Sequence, residues 1–246
     1  VSEAVSLLFF IIYTSMTADK RKYGFRRAFT LRPHLLKGML SISGWTMVQS
    51  FISVSIWFIF FLAIEHLGER PLAVTNIVRN ISALLIMVIS AFATTAGALI
   101  SNQIGAGEQR CLFKTCGMTL KLTYAILIPL LIILCLFPES VLRAFTDSPS
   151  LIAASVNSVY VMASSTLIMA PSFILFNAVS GTGNTKAGFI MEMISLAVYT
   201  AVIYYGIIRL KPDVALCWFS EHVYGVTLIF LAWWYLKSGK WRGKKV

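Results

Sequence analysis

Long apolar runs separated by short polar intervals dominate this chain. Residues 35–64, 71–104, 117–136, 151–180, 187–208 and 214–236 each reach the roughly 20 apolar residues that a helix needs to cross about 30 Å of hydrocarbon. Six membrane-spanning helices are therefore predicted. The intervals between them, IEHLGERP, GAGEQRCLFKTC, FPESVLRAFTDSPS, GTGNTKAG and RLKPD, leave no room for a soluble domain. Helices joined so tightly pack antiparallel to their sequence neighbours. Ahead of them, residues 1–16 carry LLFFIIYTS, which is apolar but shorter than the roughly 17 residues of a full span. With neither an initiating Met nor a basic n-region, this segment reads as the end of a transmembrane helix rather than a signal peptide. The expected organisation is that of a fragment of an all-α membrane protein. Residues 1–16 end a truncated transmembrane helix, 17–34 form a basic cytoplasmic loop, 35–236 a six-helix transmembrane lobe, and 237–246 a basic cytoplasmic tail.

The patterning also carries finer marks. In FATTAGALISNQIGAGE, residues 92–108, the small residues Ala93, Gly97, Ser101 and Gly105 recur every fourth position. Such a ladder makes a groove along a helix into which a second backbone fits, and Gly105 with Gly107 is expected to end that helix. Pro129 and Pro171 fall inside spans, where they are expected to kink the helix for packing or as hinges, with neighbours satisfying the freed carbonyl. The GTGNT stretch, residues 181–185, has no preceding strand and no Gly-Lys-Ser/Thr ending, so it reads as turn chemistry and not as a phosphate loop.

Charge changes the picture through its distribution. The formal net charge is +11, yet sixteen of the 21 basic residues fall on one side of the predicted membrane and only four on the other, leaving Arg79 alone deep within a span. The positive-inside rule places the 17–34 loop and the C-terminus in the cytoplasm of a multi-pass cell (inner) membrane protein, and no nucleic-acid partner is needed to explain the charge. Cys111 and Cys116 fall on a cytoplasmic connection and Cys135 and Cys217 in spans, so all four are expected to be reduced. No metal site is expected.

Ionisable groups inside a bilayer cost a few kcal/mol, about 2.5 to 3.5 on insertion scales, and each demands a partner or a function. Counting 1.5 Å per residue puts Arg79 and Glu221 in one layer and Lys121 and Glu192 in another. Each couple is expected either to fix helix order as an ion pair or to supply a carboxylate that exchanges its partner for a proton, a sodium ion or a cationic substrate. Asn76, Arg79, Asn80 and Ala83 form one polar stripe, Asn157, Tyr160 and Ser164 another, and Gln49 with Ser53 and Ser41 a third. The candidate cleft is thus Gln49, Asn76, Arg79, Asn80, Asn157, Tyr160, Glu192 and Glu221.

ISNQIGAGE after the second full span, SGTGNTKAG before the fifth, and the Gln of SGWTMVQ in the first resemble, in their order and spacing, the multidrug and toxic compound extrusion (MATE) transporters. That resemblance implies one half of a twelve-helix protein, namely the end of helix 6 followed by helices 7 to 12. It implies a partner in the missing N-terminal lobe, the lipid bilayer around it, a small-molecule substrate, and Na+ or H+ as coupling ion with no other cofactor. The chain departs from the family pattern in two places. Trp45 stands where many members have Pro, and residues 35–64, 71–104 and 151–180 contain no Asp or Glu for a cation site on helices 7, 8 or 10.

The function expected is secondary active export of organic cations or other amphipathic compounds by alternating access. The alternatives are a flippase for a lipid-linked saccharide, an intramembrane enzyme, or an assembly subunit that does not transport. An enzyme is disfavoured because neither H-E-x-x-H nor G-x-S-x-G occurs, and because Glu221 and His222, as neighbours on a helix, point about 100° apart.

Overall fold

A computed structural model of the protein describes residues 2–17 and 33–242. The basic residues expected to mark the 17–34 loop, from Lys20 to Arg32, lie outside that range, as do Lys244 and Lys245 of the tail. Two compact units are present, Val1–Gly44 and Trp45–Val246. The first holds helix α1 (Ser2–Thr17) and the start of α2 (Pro33–Glu65).

The second holds the rest of α2 together with α3 (Glu69–Gly105), α4 (Leu112–Leu136), a short α5 (Pro138–Leu142), α6 (Pro149–Gly181), α7 (Thr185–Val202), α8 (Val214–Cys217) and α9 (Phe219–Ser238). No strand occurs among the described residues. Six helical stretches are long and apolar enough to span a membrane: Ser43–Glu65, Glu69–Gly105, Gln109–Leu136, Pro149–Gly181, Thr185–Arg209 and Val214–Ser238. These are the six spans that the hydropathy pattern predicts.

Helix α3 shows how one sequence serves two faces. Val74, Val78, Ile81, Leu85 and Ile89 recur every three or four residues and are buried in the core with Leu127, Leu131 and Met162. Ala93, Ala96 and Ile100 continue that stripe into a second cluster with Ile174, Ala178 and Leu228. On α4 a four-residue repeat of Thr115, Thr119, Thr123, Leu127 and Leu131 is buried. Thr119 and Thr123 each donate to the carbonyl four residues earlier, so their hydroxyls need no partner on another helix.

The small-residue ladder works only along its first half. At Gly97 an added Cβ would stand 2.9 Å from the Asn177 carbonyl oxygen, and at Gly181 it would stand 2.5 Å from that of Gly97. Here α3 and α6 touch backbone to backbone, as small residues allow where lipid supplies no hydrophobic drive. Gly105 has nothing within 4 Å of the equivalent position, so its spacing reflects the helix end and not packing. That end is built as expected. Gly107 takes φ +82°, and the amides of Gly107 and Glu108 return to the carbonyls of Ile104 and Gln103. The GTGNT stretch joins two helices in the same way. Gly183 turns at φ +76°, and Asn184 caps α7 by accepting from the Ala187 amide while donating to the Tyr235 hydroxyl.

Pro171 removes the amide that would have bonded the Leu167 carbonyl, four residues before it. The Tyr124 hydroxyl on α4 donates to that carbonyl at 2.8 Å, so the break is repaired from a neighbouring helix. Three local features lie beyond the hydropathy reading. Residues of the FPESVLRAFTDSPS connection form α5. The end of the fifth span widens into a π-helix, Ile203–Arg209. Trp241, in the segment expected to be a basic tail, is 2% exposed and packs back against the cluster holding Leu112 and Cys116.

Candidate functional site

A cavity of about 690 Å³ opens among α2, α3, α6, α7 and α9. Its wall follows helical spacing on every element. Gln49, Ser53 and Trp57 come from α2; Arg79, Ala83, Ile86, Ser90 and Thr94 from α3; Met169, Phe173 and Asn177 from α6; Glu192, Leu196 and Tyr199 from α7; Glu221 and Tyr224 from α9. On α3 the stripe runs beside the core stripe, so one helix face packs and the adjacent face lines the cavity. The volume suits a drug-sized molecule.

Two carboxylates meet there, held by a reciprocal arrangement. Glu192 on α7 accepts from the Tyr224 hydroxyl on α9 at 2.9 and 3.1 Å, and Glu221 on α9 accepts from the Tyr199 hydroxyl on α7 at 2.7 Å. The two tyrosine rings contact edge to face, with centroids 5.8 Å apart. Ser53 on α2 adds a third bond to Glu192 at 2.8 Å. Seven residues separate Glu192 from Tyr199, about 10 Å along the axis, so the two carboxyl groups lie at different depths. Glu192 is 4% exposed.

The ion pairs expected from depth do not form among the described residues. Neutral hydroxyls occupy both carboxylates, and Lys121 faces outward, exposed on α4. Arg79 does line the cavity with Glu221, but its guanidinium carbon stands over the Phe61 ring at 5.1 Å and its Nε is buried without a partner.

Of the eight candidates, Gln49, Arg79, Glu192 and Glu221 line the cavity, while Asn76, Asn80, Asn157 and Tyr160 do not. Asn76 falls about one turn beyond the cavity's end, and Asn80 is rotated about 100° from Arg79, off the stripe. Asn157 and Tyr160 are exposed on α6, where the Tyr160 hydroxyl reaches the Cys135 carbonyl at 3.5 Å. The third member of their stripe, Ser164, bonds His222 Nε2 at 2.9 Å. Sequence reasoning passes over Ser82, Ser90, Asn177 and Tyr199. Extending the α3 stripe from Arg79 by threes and fours finds the first two, and counting two turns on from Glu192 finds Tyr199.

No curated protein matches the chain. Solved structures do. An outward-facing multidrug resistance MATE family transporter of the MOP superfamily aligns with a TM-score of 0.73 at 14% identity, covering 83% of this chain and 46% of its own. A MOP superfamily transporter from Pyrococcus furiosus, described as having a binding pocket of reverse polarity, aligns with a TM-score of 0.71 at 14% identity, covering 81% and 44%. A MATE protein in a bent conformation gives 0.67 at 14% identity, over 81% and 47%. These likenesses establish a shared fold, and the chain spans about half the length of each protein it matches. The family is fixed by sequence: the MatE model matches residues 46–205, from the start of the cavity-lining part of α2 through Glu192 and Tyr199 into the π-helix. Glu221 and Tyr224 lie beyond that match and complete the cavity from α9. By this match the chain belongs to the MatE family of membrane transporters.

Proposed function

We propose that this chain is one lobe of a secondary active exporter. It moves amphipathic organic compounds outward in exchange for Na+ or H+, with the complementary lobe closing the other side of the transport path. The observation that carries the reading is a drug-sized cavity holding Glu192 and Glu221, each bonded only by neutral hydroxyls among the described residues. An ionised carboxylate inside a membrane is costly without a cation. A proton, a sodium ion or the cationic centre of a substrate meets that need in turn, and competition for the same carboxylates couples their movements. Rocking of two lobes about such a site gives alternating access. The excess of basic residues on one side supports a cytoplasmic C-terminus in the cell membrane.

The test is counter-transport by the full-length protein in vesicles, with a proton and a sodium gradient imposed separately. A lipophilic compound that dissipates one gradient identifies an antiporter and its ion. Glu192→Gln is then expected to reduce dissipation to the protein-free background while leaving the thermal unfolding transition in place. A folded protein that dissipates neither gradient overturns the proposal in favour of a lipid-linked saccharide flippase or a subunit that does not transport.

A further inference from the structure

Arg79 remains unexplained by cation exchange at carboxylates. Among the described residues it is the one basic side chain lining the cavity, whose walls are otherwise apolar, hydroxylic, amide or acidic. Placing a guanidinium in a span carries a cost of the same few kcal/mol as a carboxylate. The cheapest remedy would be an ion pair with Glu221 or Glu192, which share the cavity. The fold forgoes it: Tyr199 occupies Glu221, Ser53 and Tyr224 occupy Glu192, and the buried Nε of Arg79 meets no acceptor among the described residues. Phe61 covers one face of the guanidinium at 5.1 Å. A planar cation steadied on a ring face, with its in-plane donors unspent, is prepared for a planar anion, because the guanidinium fork matches two oxygens at once.

Resting on the transporter reading, we infer that Arg79 makes this cavity selective for zwitterionic amphipaths, molecules that carry an anionic oxygen group and a cationic nitrogen on one apolar body, over simple lipophilic cations. The anionic group sits at Arg79 and the cationic centre is drawn to the carboxylates. Arg79 comes from α3 and the carboxylates from α7 and α9, so the two charges of such a ligand meet their partners on different walls of one cavity. Trp57, Phe173 and Leu196 supply the apolar walls between them. The same charge pair occurs on soluble amphipaths and on the headgroup of a zwitterionic phospholipid.

A matched pair of dyes tests this. Rhodamine B carries a free carboxylate beside its cationic ring system, and its ethyl ester is the same body without the anion. Binding of each to purified full-length protein is followed by fluorescence anisotropy, with a cooperative thermal unfolding transition required of every variant. The wild type is expected to bind the free acid more tightly than the ester by about tenfold, the discrimination of one charge-assisted bidentate contact. Arg79→Gln is expected to abolish that preference, the free acid losing about tenfold more affinity than the ester. Arg79→Lys keeps the charge without the fork and should retain part of the preference.

Equal weakening of both dyes by Arg79→Gln would overturn the inference and make Arg79 a structural counter-charge. Tight ester binding with refusal of the acid would overturn it too, while leaving the transporter reading intact. Binding of neither dye by folded protein would overturn the inference, and the counter-transport assay on the same protein would decide the transporter reading separately. Reconstitution into phosphatidylglycerol vesicles with and without phosphatidylethanolamine separates the two sources. A preference that persists in both points to soluble zwitterions, and one that disappears only with phosphatidylethanolamine present points to the headgroup as occupant.

Discussion

Helices α6 and α2 both line the cavity and are held by opposite means. Half of the most apolar window of α6 is buried, against 17% for α2. Where α6 meets α3, at Gly181 and Gly97, the contact is backbone against backbone, with no room for a methyl group. The last turns of α2, with Phe60, Ala63 and Ile64, are buried in a cluster with Tyr199, Ile203 and Ile207, but from Trp45 to Trp57 the helix is held by the ends of a few side chains. Trp45 packs on Phe189 and Ser53 donates to Glu192, ahead of Phe60 on Trp218 and Tyr199. Phe51 and Val54, between those contacts, are 75% and 70% exposed. A contact made by the absence of side chains has one geometry, since any movement opens a void or a clash. A contact made through a hydroxyl and a few rings can be remade after a shift. The cavity therefore has a rigid wall and an adjustable one, and Glu192, the residue that takes part in exchange in our proposal, bonds the adjustable one.

The largest effect expected from breaking this contrast is on the rigid wall. Gly181→Ala sets a Cβ 2.5 Å from the Gly97 carbonyl oxygen, a backbone atom that cannot rotate away. Overpacking of this kind costs about 3 kcal/mol, against at most about 1 kcal/mol gained in helix propensity. Thermal unfolding in detergent should show a net loss of about 2 kcal/mol. Gly105→Ala, at the last rung of the α3 ladder whose Gly97 faces Gly181, meets nothing and should be neutral or slightly stabilising. Equal responses at the two glycines would show that the α3 and α6 contact is not the rigid element.

A smaller effect is expected where α6 depends on α4. Tyr124→Phe leaves the Leu167 carbonyl without the donor that replaces the one Pro171 removes, at a cost of about 1 kcal/mol. Pro171→Ala restores an amide to that carbonyl. The tyrosine should then be dispensable, and the double-mutant cycle should give a coupling of about 1 kcal/mol. Additive losses would mean that the hydroxyl and the proline act independently.

The six spans were legible because bilayer thickness imposes a length that composition cannot disguise: residues 151–180 become Pro149–Gly181 and 71–104 become Glu69–Gly105. Short elements were not. The five residues of α5 are too few to show a period, and the π-helix, which buries Ile203 and Ile207, carries no motif that a hydropathy pattern reads. At the site, cost identified Gln49, Arg79, Glu192 and Glu221, since amides and charges stand out in apolar runs. Cost gives no azimuth, so Asn80 and Asn157 were grouped with them although they face elsewhere. Pairing the charges by depth failed for a chemical reason. Tyr199 and Tyr224 carry no charge to stand out in an apolar run, yet their hydroxyls take the carboxylates that Arg79 and Lys121 were expected to hold.

The smallest effect concerns the adjustable wall and separates stability from freedom of movement. Ser53→Ala removes the hydroxyl that joins α2 to Glu192, but Tyr224 still donates to both carboxyl oxygens and the Phe60 contacts remain. Interhelical hydrogen bonds in membranes average about 0.6 kcal/mol, so the unfolding midpoint should hardly move. The position of α2 should respond more. With this polar tie to α7 gone, spin labels on outward-facing positions of α2 and α6 should report a broader distance distribution than in the wild type. The same labels on α3 and α6 should report no change. A distribution for α2 as narrow as before would show that the aromatic contacts alone fix this helix, and the division into a rigid and an adjustable wall would fail at the residue where it matters most for exchange.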